Sequence, residues 1–516
     1  MSALIKSTAA VGSMTLLSRL LGLARDIVIA RFFSASDAAD AFFVAFKIPN
    51  FLRRLFAEGA FSLAFVPVLT EYRNNYSAAQ TRDLVDRVAG TLGLILLLLS
   101  LVGVAASPLL IGIFAAGFVD QPEKFELTAD MLRITFPYIL LISMTAMAGG
   151  ILNTLKRFAV PAFTPVLLNL SMIGSALWLS PRLDVPVTAL AWGVLIAGVA
   201  QLSFQLPFLY RAGLLPRPKW GWQHAGVQKI VKLMIPALFG SSVAQINLLF
   251  DTFIASFLVT GSVAWLYYSD RLLEFPLGVF GIALATVVLP NLSEAHYREG
   301  SERFNETLRW AIQLSLLIAV PATFGLFLLA QPILATLFEY GAFSANDSMM
   351  AAYSLMAYCL GLPAFILIKI LASGFYARQD TRTPVRIGIQ AMVFNMALNV
   401  IFVVSMLQAG FLAPHVGLAL ATSASAYFNA FRLARELRRD AILGPLETFS
   451  RPLLKILCGC IVMGLVIHFM LPELDAWSEW RWHGRLLQLS WIILPAILCY
   501  GVMLWIMGFR RQHIVA

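Results

Sequence analysis

The sequence predicts an all-helical membrane protein that crosses the bilayer many times. Of the 516 residues, 59% are hydrophobic and 13% are charged, and the mean hydropathy is +0.79. Globular proteins contain about 45–50% apolar and about 25% charged residues, so this chain has more apolar surface than protein contacts alone can bury. Lipid must therefore surround most of it. This composition excludes a soluble enzyme, a nucleic-acid-binding protein and a disordered chain.

Apolar stretches of spanning length are the second observation. A membrane-spanning helix needs about 20 mostly apolar residues. Fourteen stretches meet this requirement: 5–32, 37–70, 86–114, 127–153, 159–180, 186–210, 227–258, 262–293, 307–330, 348–376, 383–408, 414–434, 452–471 and 485–508. No loop between them is long enough for a separate domain, so the protein is expected to act within or against the bilayer.

The distribution of loop cations predicts the orientation, because short cytoplasmic loops retain Lys and Arg. With a cytoplasmic N-terminus, 25 loop cations fall on the cytoplasmic side. The opposite side has five, namely Lys124, Arg133, Arg182, Arg481 and Arg485. Both termini are therefore predicted to be cytoplasmic.

An internal repeat is the third observation. Residues 26–33 align with 251–258, residues 67–71 with 290–294, and Gly150 with Gly374, at offsets of 225, 223 and 224. The repeat predicts an N-lobe of six helices (1–211), a cytoplasmic linker (212–226), a C-lobe of six helices (227–440) and two further helices (441–516). Six crossings return the chain to its starting side, so the lobes are parallel repeats around a central cavity, as in many transporters. A static scaffold is the alternative.

Eight cations lie inside the predicted spans, where each costs on the order of 3 kcal/mol at a helix centre. They are Arg19, Arg25, Arg31, Lys47, Arg53, Arg54, Arg271 and Lys369. Such residues are expected to face protein or a water-filled cavity.

Polar residues follow the helical period in three of these spans. Ser18, Gly22, Arg25 and Asp26 share a face of helix 1, with Arg19 beside it. The helix 2 stripe is Asp40, Lys47, Asn50, Arg54 and Glu58, flanked by Arg53, and the helix 8 stripe is Tyr267, Arg271, Glu274 and Gly278, beside Asp270. Pro49 and Pro276 are predicted hinges, and Pro49 should free the carbonyl of Ala45.

Two interpretations of these charges remain open. The pairs Arg25–Asp26, Arg54–Glu58 and Arg271–Glu274 could simply neutralise each other. However, helices 1 and 2 contain six intramembrane cations against the three anions Asp26, Asp40 and Glu58, so positive charge remains after pairing. The planar guanidinium fork suits phosphate oxygens, which favours an anionic, phosphorylated ligand.

A second candidate site contains only oxygen donors from side chains. Asp251 in helix 7 and Asn395 and Asn399 in helix 11 could coordinate Na⁺ for coupled transport. Interhelical hydrogen bonds that pack the helices are the alternative. The sequence lacks a Gly-Lys dipeptide and hence a P-loop, so ATP is not expected, and no nucleophile or zinc motif indicates an enzyme.

Four segments resemble one known family. They are Gly22-Leu-Ala-Arg-Asp26, the stretch from Asp40 to Phe61, Tyr268-Ser-Asp-Arg-Leu-Leu-Glu-Phe-Pro276, and the stretch from Gly374 to Pro384. They resemble the MurJ (MviN) family of the multidrug/oligosaccharidyl-lipid/polysaccharide (MOP) exporter superfamily, and the likeness extends over essentially the whole chain.

The resemblance implies a lipid II flippase of the bacterial inner membrane. It would move undecaprenyl-diphosphate-linked disaccharide-pentapeptide to the periplasmic leaflet for peptidoglycan synthesis, by alternating access driven by the membrane potential, an ion gradient or both. The resemblance implies that the cavity arginines are Arg19, Arg25, Arg53, Arg54 and Arg271, with the acidic positions Asp26, Asp40, Glu58, Asp270 and Glu274 nearby. It also implies that helices 13 and 14 form a lipid-tail groove.

The resemblance also concerns ions and partners. Asp251 fits the family's proposed Na⁺ site, whereas asparagine stands at 395 and 399, where a second carboxylate could be expected. The expected partners are lipid II and membrane lipids, with peptidoglycan synthases as a further class and no nucleic acid. The alternative function is export of another polyprenyl-linked glycan or of an amphipathic drug. A polytopic membrane enzyme or a scaffold for cell-wall synthases is a different class again.

Overall fold

A computed structural model of the chain describes residues 2–443 and 447–509, apart from the side chains of 2–10, 56–59, 239–244, 282, 298–299, 447–448, 474–475 and 478. These residues form helices and connecting turns, and no strand occurs among them. The predicted all-α class is confirmed.

The α-helices are numbered in chain order. They are α1 (Ser2–Phe33), α2 (Asp37–Arg53), α3 (Ser62–Asn75), α4 (Ala78–Ala105), α5 (Ser107–Phe114), α6 (Pro122–Thr135), α7 (Tyr138–Thr154), α8 (Ala159–Gly174), α9 (Thr188–Arg211), α10 (Ala225–Ala255), α11 (Ser262–Pro276), α12 (Ile282–Glu294), α13 (Ser301–Leu328), α14 (Ala330–Phe338), α15 (Ala345–Tyr376), α16 (Arg382–Gln408), α17 (Val416–Arg439), α18 (Glu447–Met470), α19 (Leu474–Glu479) and α20 (Trp482–Ile506). π-Helical segments cover Arg54–Phe61, Ser175–Leu179, Leu277–Gly281 and Ala295–Glu299, and 3₁₀ turns cover Ala116–Phe118 and Ser180–Arg182.

Ten helical stretches in the described part of the chain are long and apolar enough to cross a membrane. They correspond to predicted helices 3 to 6, 8 to 11, 13 and 14. The other four predicted spans are also helical, and they include α1 and α2, which contain most of the intramembrane charges. The total of fourteen crossings stays a prediction.

Side-chain caps determine where several helices begin. The Ser36 hydroxyl accepts a hydrogen bond from the backbone N–H of Ala39 and opens α2. Reciprocal capping boxes, Ser77 with Gln80 and Ser344 with Asp347, open α4 and α15. Each cap satisfies backbone N–H groups that the first helical turn leaves without a partner.

The chain forms two compact units that divide between Val263 and Ala264. In the first unit, Phe65, Leu69 and Leu84 belong to a buried cluster contributed by α3, α4, α7, α9 and α10. The corresponding cluster of the second unit, which includes Leu308 and Phe375, comes from α12, α13, α15, α16, α17 and α18. Outside these cores, large apolar side chains such as Leu98 and Leu101 of α4 are exposed, as expected of helices solvated by lipid.

Helix α10 lies on the first side of this division. The repeat places it at the start of the C-lobe, but it packs on Arg54–Phe61 and on α3 in the first compact unit. The boundaries 1–211 and 227–440 follow from sequence offsets and not from packing, so they stay predictions.

Corresponding turns in the two units have the same backbone geometry. Lys156 and Gln379, 223 residues apart, have φ angles of 60° and 61°. In each turn the next residue donates its N–H five residues back, from Arg157 to Leu152 and from Asp380 to Phe375. A left-handed residue with this hydrogen bond is a common way to end a helix. The match supports the predicted repeat at the level of single turns.

Candidate functional site

A buried ion pair lies on the predicted polar face of α1. Arg25 is 4% exposed, and its Nη2 lies 2.7 Å from Oδ1 of Asp26. The Arg25 Nη1 donates to Oδ1 of Asn169 in α8 at 3.1 Å. Asp26 and Asn169 thus hold the plane of the guanidinium. This confirms the predicted Arg25–Asp26 pair.

Gly22 and Ser18 bring α8 close to this pair. The amide Nδ2 of Asn169 donates to the carbonyl of Ser18 at 2.9 Å. A Cβ atom on Gly22 would lie 3.7 Å from the same Nδ2, which is ordinary van der Waals contact. The predicted face of α1 therefore packs against α8. Asn169 of α8 binds both Ser18 and Arg25, which lie seven residues apart on that face. Arg19, beside this face, is exposed.

The first polar residue of the α2 stripe, Asp40, is bound by a lysine from α6. Asp40 is 1% exposed, and its Oδ2 lies 3.1 Å from Nζ of Lys124, which is itself 5% exposed. Lys124 also contacts Asp37 at 2.7 Å, and the backbone N–H of Gly261 donates to Asp40 at 2.8 Å. The predicted acidic position is therefore a buried structural junction in the first unit.

The rest of the α2 stripe is half-buried. Lys47 donates to the hydroxyl of Thr252 in α10 at 2.9 Å, and the Arg53 Nε donates to Oδ1 of Asn50 at 2.9 Å. Within the described ranges, the guanidinium of Arg54 has neither a hydrogen bond nor an ion pair. The side chain of Glu58 lies outside the described residues, so the predicted Arg54–Glu58 pair stays a prediction.

Pro49 interrupts α2 as predicted, and its effect on Ala45 is resolved. The hydroxyl of Thr135 in α6 donates to the carbonyl of Ala45 at 3.3 Å and shares this bond with the carbonyl of Leu132. A proline four residues on leaves that carbonyl without its helical donor. The π-helical segment Arg54–Phe61 begins five residues after Pro49. The neighbouring helix thus satisfies the backbone group that the proline frees.

The second unit repeats the arrangement with weaker pairing. Arg271 in α11 lies 2.9 Å from Oε2 of Glu274, and its Nε and Nη2 each donate to the hydroxyl of Tyr267 at 3.3 Å. Asp270 is half-buried beside it. Pro276 ends α11, and the π-helical segment Leu277–Gly281 follows at once. The predicted pair is confirmed, and it is more exposed than Arg25–Asp26.

The two asparagines proposed for Na⁺ are fully buried in the second unit. The Asn399 Nδ2 donates to Oδ1 of Asn395 at 3.0 Å, and Asn395 donates to the hydroxyl of Thr422 in α17 at 3.4 Å. Asp251 is half-buried in α10 of the first unit. Hydrogen bonds between these side-chain amides are what the packing alternative predicts, because Oδ1 of Asn395 already accepts one. The Na⁺ site stays a prediction.

Three residues that hold the site or anchor a helix were not predicted from the sequence. Lys124 and Arg485 were assigned to loops, but both are buried, and Asn169 was not singled out. The Arg485 Nη1 donates to the carbonyls of Ala335 and Glu339, so it caps the C-terminus of α14. Helical spacing was the available signal for the two cations. The run Lys124, Thr128, Met131, Leu132 and Thr135 forms the buried face of α6, and Arg485, Leu489, Ile492 and Ala496 form that of α20.

The Lys124 contacts bear on the charge balance of the first two helices. Asp40 is bound to a cation from α6, so it is not needed to neutralise Lys47 or the arginines of α1 and α2. Lys124 also binds Asp37, so its single positive charge serves two carboxylates, and the predicted positive surplus of these helices keeps its size. Such groups, partly shielded from water, bind phosphate-type anions by charge-assisted hydrogen bonds.

Comparison with solved structures defines the class of protein first. A multidrug resistance MATE family transporter of the MOP superfamily, in an inward-facing conformation, matches with a TM-score of 0.68 at 16% identity, over 84% of this chain and 98% of that chain. At this identity the match shows the fold alone. The chain thus has the fold of a MOP superfamily transporter.

The family follows from closer relatives. The model of the family "Lipid II flippase MurJ" matches residues 29–480. A probable lipid II flippase MurJ from Haemophilus influenzae is 48% identical over 97% of this chain and 99% of the relative. A structure of lipid II flippase MurJ in an inward closed conformation has a TM-score of 0.78 at 28% identity and covers 96% of this chain and 98% of that one. The chain belongs to the lipid II flippase MurJ family, and the resemblance seen in the sequence is confirmed.

Proposed function

We propose that this protein is a lipid II flippase of the bacterial inner membrane. It transfers the undecaprenyl-diphosphate-linked peptidoglycan precursor from the cytoplasmic to the periplasmic leaflet. Family membership supports the substrate class. The observation that carries the proposal for this chain is the cation surplus on α1 and α2, which remains when Lys124 of α6 is counted against Asp37 and Asp40. A diphosphate headgroup supplies the complementary negative charge.

The arginines differ in how they meet this headgroup. Asp26 and Asn169 hold the guanidinium of Arg25 in one orientation, which reduces the entropy lost on binding. Arg54 is half-buried and is the most available donor of the stripe. Arg271, with Arg53, completes the cation set. The isoprenoid chain stays in lipid, in a groove that we assign to α18 and α20.

Transfer proceeds by alternating access. The two lobes rock against each other, and the helices bend near Pro49 and Pro276. A π-helical segment follows each proline, and such segments are common where helices bend or bind ligands. The carbonyl of Ala45 already has a donor from α6, so bending at this point breaks no α2 hydrogen bond to that group.

The membrane potential drives export. A negative charge that leaves an inside-negative cell gains about 2.3 kcal/mol per 100 mV, so two phosphate charges gain roughly 4–5 kcal/mol if both cross the field. Potassium with valinomycin, which collapses the potential, should slow export by more than tenfold. Export at an unchanged rate would contradict this driving force. Replacement of Na⁺ by choline tests the separate proposal that Asp251, Asn395 and Asn399 couple transport to sodium.

Orientation is tested independently of transport. We place both termini in the cytoplasm, following the loop cations. A C-terminal green fluorescent protein should fluoresce, whereas alkaline phosphatase at the same point should be inactive. The opposite pair of results would place the C-terminus in the periplasm and contradict the proposed orientation.

The decisive experiment measures lipid II in the outer leaflet. Cells that depend on this chain are treated with a membrane-impermeant hydrolase that cleaves external lipid II, and the cleaved fraction is counted. Arg54→Gln should lower that fraction by about tenfold or more, since a hydrogen bond to a charged group contributes about 1.5–3 kcal/mol. Arg303→Gln is the matched control, because Arg303 is an exposed residue paired with Glu306 in α13.

Two outcomes would overturn the proposed function. One is normal lipid II cleavage in cells depleted of the protein and of any second flippase. The other is equal loss in both variants at equal protein abundance. Export of a different polyprenyl-linked glycan at the normal rate, with lipid II retained inside, would indicate the alternative exporter.

A further inference from the structure

The segment between α9 and α10, residues 212–224, is bound along α4 and is here called the linker. The backbone N–H of Arg217 donates to Oδ1 of Asp86 at 2.7 Å, and Lys219 Nζ lies 3.1 Å from Oδ2 of the same residue. The N–H of Lys219 donates to the carbonyl of Asp86, and that of Gly221 to the hydroxyl of Thr91. Asp86 and Thr91 are each 3% exposed. The linker is therefore held at fixed points of a transmembrane helix.

Two glycines allow the backbones to touch. A Cβ atom on Gly90 of α4 would lie 2.2 Å from the carbonyl oxygen of Lys219, and one on Gly221 would lie 2.4 Å from Cβ of Arg87. Real Cβ atoms do not approach other heavy atoms this closely. The linker thus lies directly on α4, at the level of residues 86–91.

Two tryptophans project from this linker. Trp220 is 57% exposed and Trp222 is 43% exposed, and their rings are stacked at 6.5 Å. They flank Gly221, which binds Thr91, while the exposed apolar side chains of α4 begin at Leu94. Three residues of helix rise about 4.5 Å. The indoles therefore lie just outside the apolar band, where tryptophan is enriched in membrane proteins.

The outer face of the linker is cationic. Residues 212–224 include Arg217 and Lys219 and no carboxylate. The nearby carboxylates are already bound, Asp86 by the Lys219 ammonium and the Arg217 N–H, and Asp83 by Arg87 at 2.7 Å, so Arg217 is the linker cation that these ion pairs do not use. Arg211 at the end of α9 adds an exposed cation. A cationic surface at headgroup depth complements anionic lipid.

We propose that the linker is a preorganised binding surface for anionic phospholipid headgroups. Trp220 and Trp222 lie at the level of the headgroups and ester groups, and Arg217 contacts a headgroup phosphate. The contacts with Asp86 and Thr91 hold these groups in place before lipid binds. This surface involves none of the residues assigned to lipid II, so it is independent of the proposed function.

The test uses the full-length protein in phosphatidylcholine vesicles that contain brominated lipid, which quenches nearby indoles. The difference in fluorescence between the native chain and Trp220→Phe/Trp222→Phe isolates the two linker tryptophans. Brominated phosphatidylglycerol should quench this signal more effectively than brominated phosphatidylcholine. Arg217→Gln should lower that preference by about fivefold, the effect of one cation near an anionic surface.

A glycine pair tests preorganisation without changing charge. Gly90→Ala should displace the linker and lower the preference for phosphatidylglycerol severalfold, while helix content and size-exclusion profile stay normal. Gly93→Ala, one turn further along α4, is the matched control, because its nearest neighbour would be Met144 Sδ at 4.0 Å. Trp178 is an exposed tryptophan that precedes the N-terminus of α9, whereas the linker follows its C-terminus. The difference in fluorescence between the native chain and Trp178→Phe should be quenched equally by the two brominated lipids.

Three results would overturn the proposal. The first is a difference signal quenched by aqueous iodide and not by brominated lipid, which would place the linker in water. The second is equal quenching by the two brominated lipids. The third is equal behaviour of Gly90→Ala and Gly93→Ala.

Discussion

The two units connect corresponding pairs of helices by polar contacts of different chemistry. In the first unit α2 and α6 are joined by Asp40 and Lys124, at 3.1 Å. In the second, α11 and α15 are joined by the indole N–H of Trp265, which donates to Oδ1 of Asp347 at 2.9 Å. The repeat offset relates position 40 to 265 and position 124 to 347. The carboxylate comes from α2 in the first unit and from α15, the counterpart of α6, in the second. Its partner is a lysine in the first unit and a neutral indole N–H in the second.

This difference separates what the fold requires from what one unit adds. Both units need a polar contact between these helices, but only the first buries a charge pair there. Asp347 also accepts from the N–H and hydroxyl of Ser344, so its charge is shared with a helix cap. The first unit is therefore expected to be more sensitive to single substitutions at this position.

The largest effect is expected at Lys124. Lys124→Met leaves Asp40 buried without its cation, which should lower the free energy of unfolding by about 3–5 kcal/mol. Thermal unfolding in detergent, followed by circular dichroism, measures this loss. Asp40→Asn/Lys124→Met should recover most of it, and a loss below 1 kcal/mol for the single variant would contradict the assignment.

Arginine removal should distinguish the units next. Arg25→Ala leaves Asp26 buried and should cost about 3 kcal/mol, whereas Arg271→Ala breaks a half-exposed pair and should cost about 0–1 kcal/mol. Arg271→Ala should therefore accumulate normally while it loses lipid II export. Equal destabilisation of the two variants would show that burial does not separate these pairs.

The neutral contact of the second unit should cost less to break. Trp265→Phe keeps an aromatic ring packed near His415 but removes the N–H donor to Asp347. The expected loss is about 1–2 kcal/mol, since the carboxylate keeps its Ser344 donors. The same unfolding measurement applies. A loss as large as that of Lys124→Met would show that the buried charge pair contributes no more to the free energy of unfolding than this neutral hydrogen bond.

Thr135 tests how the first unit accommodates its proline. Thr135→Val removes the donor to the Ala45 carbonyl and should cost about 1 kcal/mol. In the Pro49→Ala background the helix can supply its own donor, so the same substitution should cost less. Additive effects in this double-mutant cycle would show that Thr135 and Pro49 are not coupled.

The smallest effect concerns pH and the turn between α15 and α16. Burial tends to raise the pKa of Asp380, but hydrogen bonds from the Thr383 side chain and from the N–H groups of Thr383 and Arg382 lower it overall. The resulting stabilisation is present at neutral pH and is lost as the pH falls through the lowered pKa, below 3.8. The difference in unfolding temperature between the native chain and Asp380→Asn should shrink over that range. A constant difference from pH 7 to 3 would contradict it. Arg157 stands at the corresponding turn of the first unit. The difference in unfolding temperature between the native chain and Arg157→Gln should not change over this pH range, because an arginine stays charged throughout it.

Much of the site was predictable from local pattern. The Arg271–Glu274 pair has the i, i+3 spacing that brings side chains together on a helix, and Arg25 and Asp26 are neighbours in the sequence, so both pairs are local. The break at Pro49 and the freed carbonyl of Ala45 follow from the missing N–H of proline. The family resemblance was likewise carried by contiguous segments, chiefly Asp40 to Phe61.

The missed residues depend on contacts between distant parts of the chain. Asn169 lies 144 residues from Arg25, and Lys124 lies 84 residues from Asp40. Nothing local shows which helices will be neighbours, so the two cations were assigned by chain position to loops. The linker was predicted as a connection, and its contacts with Asp86 and Thr91 were not foreseen for the same reason.

The sequence by itself determined the membrane class, the helices, the prolines that interrupt them and the excess of intramembrane cations. These follow from composition and period, because lipid solvates apolar helices and obliges every backbone polar group to find a hydrogen-bond partner within the protein. Only the tertiary structure decided which charges are neutralised. Burial and partners depend on helix packing, so Lys124 became the partner of Asp40, and the arginines of α1 and α2 retained the surplus charge that the proposed function uses.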